Sequence, residues 1–177
     1  MDSNRIARLA QGARDALRKD VSNSLERVLK PESAERLAFP EDVARLERLA
    51  EADPDALVER VAYTWFNRLC ALRFMDARGY TPVGCVTSRP DETLPAILAD
   101  ARQGILHPEF PLSQANRQRV LSLLDGGMPA QDPLGEAYTL LLLSACAAYR
   151  DSMGYLFGGS LEDRSAMRLL HPNNLTA

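Results

Sequence analysis

The strongest constraint in this sequence is a run of apolar residues at helical spacing, set between a proline and a glycine. Asp53-Pro54-Asp55 puts an acidic cap and a proline just ahead of the run, and Gly79 closes it. Within about Ala56 to Arg78, the residues Val58, Val61, Ala62, Trp65, Leu69 and Leu72 recur on one helical face, widened by Phe66, Cys70 and Phe74. An apolar face this broad needs several partners to cover it. The rest of the chain must supply them.

Further helices are legible on both sides. Ser3 is placed to cap a helix from about Asn4, with Ile6, Leu9, Ala10, Ala13, Ala16 and Leu17 recurring along it. The pattern runs on through Val21, Leu25, Val28 and Leu29 until Pro31 stops it. A short helix is expected from Pro40 or Glu41 to Glu51, with Val43, Leu46, Leu49 and Ala50 inward. Tyr80 to Pro90 reads as a loop or a short extended excursion. Asp91 or Thr93 is expected to cap a short helix with Pro95 near its first turn and Ile97, Leu98 and Ala101 inside. After a connection from Gly104 to Pro111, Ser113 caps Gln114 to Leu124, and Pro133 opens an apolar helix reaching Tyr149 or beyond. Gly158-Gly159 breaks the chain, and a last short helix runs from Ser160 toward Leu170. The expected fold is all-α: an irregular helical bundle of about six to seven helices, one domain over 1–177 with a sub-boundary near 80–90.

Composition narrows the function classes. With 46% hydrophobic and 25% charged residues, the chain has the make-up of a folded globular domain. A formal net charge of -3 supplies no global positive field, which argues against a free-standing non-specific DNA binder. Three cysteines, Cys70, Cys85 and Cys146, cannot all pair within the chain and read as reduced, structural thiols of a cytoplasmic protein. His107 and His171 lie far apart with no nearby cysteine pair, so no metal site of the usual zinc spacing is expected. The run Leu140-Leu141-Leu142-Leu143 and its extension to Ala148 is shorter than the roughly 20 residues that cross a bilayer. It reads as a buried helix, with no membrane partner expected.

Two groups of residues carry the candidate contacts. Arg5, Arg8, Arg14 and Arg18 decorate the first helix among Lys19, Asp15 and Asp20, and fit either a solvated face or a surface for nucleic-acid phosphates. Asn67 and Arg68 stand beside Trp65 and Phe66. They are either core polar groups hydrogen-bonded inward, or a patch that meets a nucleic acid or another protein. Arg73 and Asp76, three apart on the same helix, are expected to pair locally.

The run Ala62-Tyr63-Thr64-Trp65-Phe66-Asn67-Arg68-Leu69, continuing to Leu72-Arg73-Phe74-Met75-Asp76 and Gly79-Tyr80, resembles the early segment of PglX-type proteins, the adenine-specific DNA methyltransferases of BREX phage-defence systems. Tyr138 to Tyr149 is similar to the leucine-rich helix that follows in that family, and His171-Pro172-Asn173-Asn174-Leu175 to a later phrase like Pro-Glu-Asn-Leu. The resemblance covers about Leu57 to Leu175. It implies the helical N-terminal part of a parent enzyme that uses S-adenosylmethionine to methylate adenine, with DNA and other defence proteins as partners. It also implies that the chain stops near where the catalytic domain should begin. No cofactor-binding or catalytic residue of the family carries over. Phe157-Gly158-Gly159-Ser160-Leu161, the nearest string to a cofactor loop, follows a helical pattern rather than a strand and reads as a helix-breaking turn. His171-Pro172-Asn173-Asn174 has the wrong order for an adenine-holding cluster and lacks its aromatic residue. The alternative is a separate helical interaction protein without catalysis.

Overall fold

The computed structural model describes residues 3–172, without the side chains of residues 3, 6 and 161–163. The expected Ser3 cap and the residues from Asn173 onward in the C-terminal phrase lie outside what it describes. The chain is all-α, with the order α1 (Ser3–Val28), α2 (Ala34–Ala38), α3 (Pro40–Ala52), α4 (Pro54–Arg78), α5 (Ala96–Arg102), α6 (Gln114–Leu124), α7 (Pro133–Ala148), α8 (Gly154–Phe157) and α9 (Leu161–Leu169). Two of the nine, α2 and α8, have only five and four residues, too short to leave a periodic signal in the sequence. No strand forms among the described residues. A single antiparallel bridge joins Ser88 to Pro95 across the loop after α4.

The chain divides into two units, and α4 contributes to both. The first draws on Met1–Asn67 and Gly159–Asn173, the second on Arg68–Gly158. In the first unit, the second half of α1 buries Leu17, Val21, Leu25 and Val28, while α3 buries Val43 and Leu46. Trp65 is fully buried on α4, and its indole N–H donates to the Leu170 carbonyl at 3.0 Å. A buried indole without such a partner would be costly. Ser33, unnoticed in the sequence as a cap, accepts from the Arg36 N–H and so starts α2.

The Asp42 carboxylate joins α3 to α9. It accepts from the Ser165 hydroxyl at 2.7 Å and from the Arg168 guanidinium at 2.9 Å, with Arg45 of its own helix at 3.0 Å. Arg168 also covers the Phe39 ring, 4.4 Å from its centroid.

In the second unit, α7 buries Ala137, Tyr138, Leu141, Leu142 and Ala145 and packs on α6, which buries Val120 and Leu123, and on α5, which buries Ile97 and Leu98. Ser113 caps α6 through the Asn116 N–H, and Asp132 caps α7 through the Gly135 N–H. The start of α5 departs from expectation, for neither Asp91 nor Thr93 caps it. Its first N–H groups, on Ala96 and Ile97, are instead taken by the Thr87 and Gly84 carbonyls of the preceding loop. Gly84 makes that approach feasible, since a Cβ there would sit 2.5 Å from the Thr87 oxygen.

Three apolar assignments need correction. Cys70 is exposed, and Phe74 is 56% exposed, because both lie at the outer edge of the α4 stripe. The first half of α1 is also uncovered: Leu9 is 67% exposed, and Ala13 and Ala16 face solvent. Cys146 is buried within its apolar helix, as expected, and burial pushes its thiol up to about 11; Cys85, in the loop after α4, is buried as well.

Replacing Trp65 by alanine should lower stability by roughly 3–5 kcal/mol. Trp65→Phe should cost less but measurably, because the Leu170 carbonyl is left without its donor. Denaturant unfolding checks both, and an alanine variant within a few tenths of a kcal/mol of the parent would contradict the packing.

A second expectation concerns acid. Burial pushes the Asp42 carboxyl up, but the Ser165 hydroxyl and the Arg168 and Arg45 guanidiniums outweigh it, so its pKa lies below the ordinary carboxylate value. The stability this supplies is present above the unfolded pKa of about 3.9 and disappears as pH falls through the lower folded value. Asp42→Asn should therefore destabilise most at neutral pH, with a penalty that shrinks toward pH 3. A penalty that stays constant with pH would count against the linkage.

Candidate nucleic-acid-facing surface

Helix α1 presents its four candidate arginines in two pairs. At about 100° per residue, Arg5 and Arg8 lie on the side away from Leu17 and Val21, whereas Arg14 and Arg18 flank the buried side. All four are exposed, but they are held differently. The Arg14 guanidinium lies over the Phe66 ring of α4, 4.8 Å from its centroid, with Tyr63 at 6.0 Å. Arg18 pairs with Glu59 of the same helix at 2.8 Å, both side chains more than half exposed. Such exposed pairs fix geometry more than they stabilise.

The polar residues of the central motif are placed separately. Asn67 is half-buried. Arg68 is 5% exposed, and its guanidinium donates to the carbonyls of Leu156 at 3.1 Å, Phe157 at 3.3 Å and Gly158 at 2.9 Å. These are carbonyls at the end of α8, which has too few turns to bond them internally. Arg68 thus holds the Gly158-Gly159 turn closed. The Gly158 N–H donates back to the Gly154 carbonyl, and a Cβ on Gly158 would stand 2.3 Å from that oxygen. The turn ends a helix, with its carbonyls aimed at a cation.

Two clusters were not visible from spacing. Asp76 accepts from the Thr81 hydroxyl, the Cys85 and Val86 N–H groups and the Thr87 hydroxyl, at 2.7 to 3.0 Å. Instead of pairing with Asp76, Arg73 reaches it through Thr87, whose hydroxyl oxygen accepts from Arg73 at 2.8 Å. The Tyr138 hydroxyl adds a bond to the Cys85 carbonyl at 2.9 Å, so α7 and α4 both fix this loop. The second cluster centres on Asp100, whose two oxygens meet Arg89 at 2.7 and 2.8 Å and His107 Nε2 at 2.9 Å. Burial pushes that carboxyl up, but His107 and Arg89 bring it below the ordinary value. A carboxylate so fully engaged by Arg89 works as a clasp for the segment after α5. The carboxylate of Asp76 likewise organises a loop.

Among the described residues no group of His, Cys, Asp and Glu could hold a metal ion. No described helix is long and apolar enough to cross a membrane.

The sequence matches curated adenine-specific methyltransferases. It is 36% identical over 132 residues to the adenine-specific methyltransferase BrxX of Escherichia coli O9:H4 (strain HS), covering 74% of this chain and 10% of that protein. It is 44% identical over 66 residues to the adenine-specific methyltransferase PglX of Lacticaseibacillus casei (strain Zhang), covering 33% of this chain and 6% of that protein. No protein-family model matches the chain. The chain is thus related to proteins of the adenine-specific methyltransferase class, and within that class to the BrxX/PglX type. It spans a tenth or less of the length of these curated relatives.

Replacing Arg68 by methionine keeps much of its volume but removes the donors from three carbonyls. The variant should lose about 2–4 kcal/mol of stability. Thermal and denaturant unfolding would measure it, and an unchanged midpoint would show that water replaces the guanidinium without cost.

Proposed function

We propose that this chain is the N-terminal helical domain of an S-adenosylmethionine-dependent, adenine-specific DNA methyltransferase of a bacterial BREX phage-defence system. In this reading it is a scaffold for the catalytic domain and helps that domain engage DNA or a defence partner in the cytoplasm. The observation that carries the reading is the match to BrxX over 74% of the chain. The cofactor belongs to the catalytic domain of the parent enzyme. The one glycine turn here that resembles a cofactor loop follows a helix, and its carbonyls are held by Arg68.

The DNA-facing part is assigned to the first helix, with Arg5 and Arg8 foremost. They lie on the solvent side of α1, while Arg14 and Arg18 are turned toward Phe66 and Glu59. Contacts of this kind hold the phosphate backbone without reading sequence. At a net charge of -3 the chain alone should bind DNA weakly. In the whole enzyme, Arg5→Gln with Arg8→Gln should weaken binding to all sequences alike and reduce the salt slope by about two. Fluorescence anisotropy at several salt concentrations measures this. An unchanged affinity and slope would leave α1 a packing or partner-facing element.

A further inference from the structure

We propose that the exposed face of α1 pairs antiparallel with the same face of a second copy of this chain. The face is a row of Arg5, Leu9, Ala13, Ala16 and Asp20, spaced by four, four, three and four residues, which keeps it on one side of the helix. Leu9 is 67% exposed; Arg5, Ala13 and Ala16 are exposed and Asp20 is half-exposed. A Cβ on Gly12, beside the row, would meet nothing within 4 Å, so another helix can approach closely.

Charge and size make the row complementary to itself in one direction. Arg5 and Asp20 are equidistant from the point between Gly12 and Ala13, as are Leu9 and Ala16. A two-fold axis at that point sets Arg5 opposite the partner's Asp20 and Leu9 opposite the partner's Ala16, each twice. Large meets small in the middle, and opposite charges meet at both ends. A parallel pair would instead place arginine on arginine and aspartate on aspartate. Other occupants fit less well. A phosphate backbone would meet Leu9 and Asp20, and an acidic helix would oppose Asp20. Arg8 lies off the row, so Arg8→Gln alone, which should lower the salt slope of DNA binding by about one, tests the DNA reading without touching the pair.

One pair of four-turn helices buries less than the roughly 1,200 Å² typical of a stable interface. The dimer should therefore be weak and reversible. Sedimentation equilibrium of the whole chain, from roughly 10 μM to roughly 1 mM, should show a monomer–dimer equilibrium. Because each charge acts at both ends of the pair, Asp20→Arg alone or Arg5→Asp alone should weaken it by about tenfold or more. The double exchange, Arg5→Asp with Asp20→Arg, should restore it to within about threefold. Leu9→Glu should abolish it, and Leu9 is too exposed for that change to disturb folding, as circular dichroism would verify. A chain that stays monomeric throughout overturns the proposal. So does a dimer indifferent to Leu9→Glu, or a double exchange no tighter than the single variants.

Discussion

A long helix that carries polar side chains into an apolar interior must find each of them a partner, and α4 meets that demand on two successive turns. The Trp65 indole donates to the Leu170 carbonyl, and the Arg68 guanidinium donates to three carbonyls around Gly158. The acceptors lie far along the chain, 105 residues beyond Trp65 and 88 to 90 beyond Arg68. Leaving either donor unpaired would cost more than an ordinary hydrogen bond returns. The central helix therefore specifies where the C-terminal part of each unit must lie. The distinctive Trp65 and Arg68 of this stretch thus have a structural reason to be what they are.

Helix α1 behaves differently along its length. From Leu17 onward it is a core element, and its Arg14 and Arg18 side is turned toward α4. Before Leu17 it carries apolar residues that its own unit does not cover. That uncovered face is the one proposed to meet a second copy of the chain. The clasps built on Asp76 and Asp100 hold loops in place. Their carboxylates organise the surrounding backbone.

Much of the architecture was legible in the sequence because it is encoded locally. Pro54 and Gly79 bracket α4, Ser113 caps α6, Pro133 opens α7, and period-3.6 patterns mark the long helices. What escaped was encoded at a distance or by backbone atoms. The start of α5 is capped by carbonyls of Gly84 and Thr87, which no side-chain pattern announces. Asp76 was matched to Arg73 on helical spacing, but the loop after α4 folds back and offers it four donors. Periodicity placed Leu9, Ala13, Cys70 and Phe74 on apolar faces, and the structure leaves all four exposed, because spacing does not tell whether anything covers a face. The candidate arginines were found by type, and only the structure separates Arg5 and Arg8 from Arg14 and Arg18.

We propose that this chain positions an enzyme's parts and that the cofactor chemistry lies in other domains. Calorimetric titration of S-adenosylmethionine into the isolated chain, and in parallel into the full-length parent enzyme, tests that most directly. Saturable binding to the parent and no binding to the chain at micromolar cofactor are expected. Micromolar binding to the chain alone would contradict the proposal, because a cofactor site would then lie within these helices.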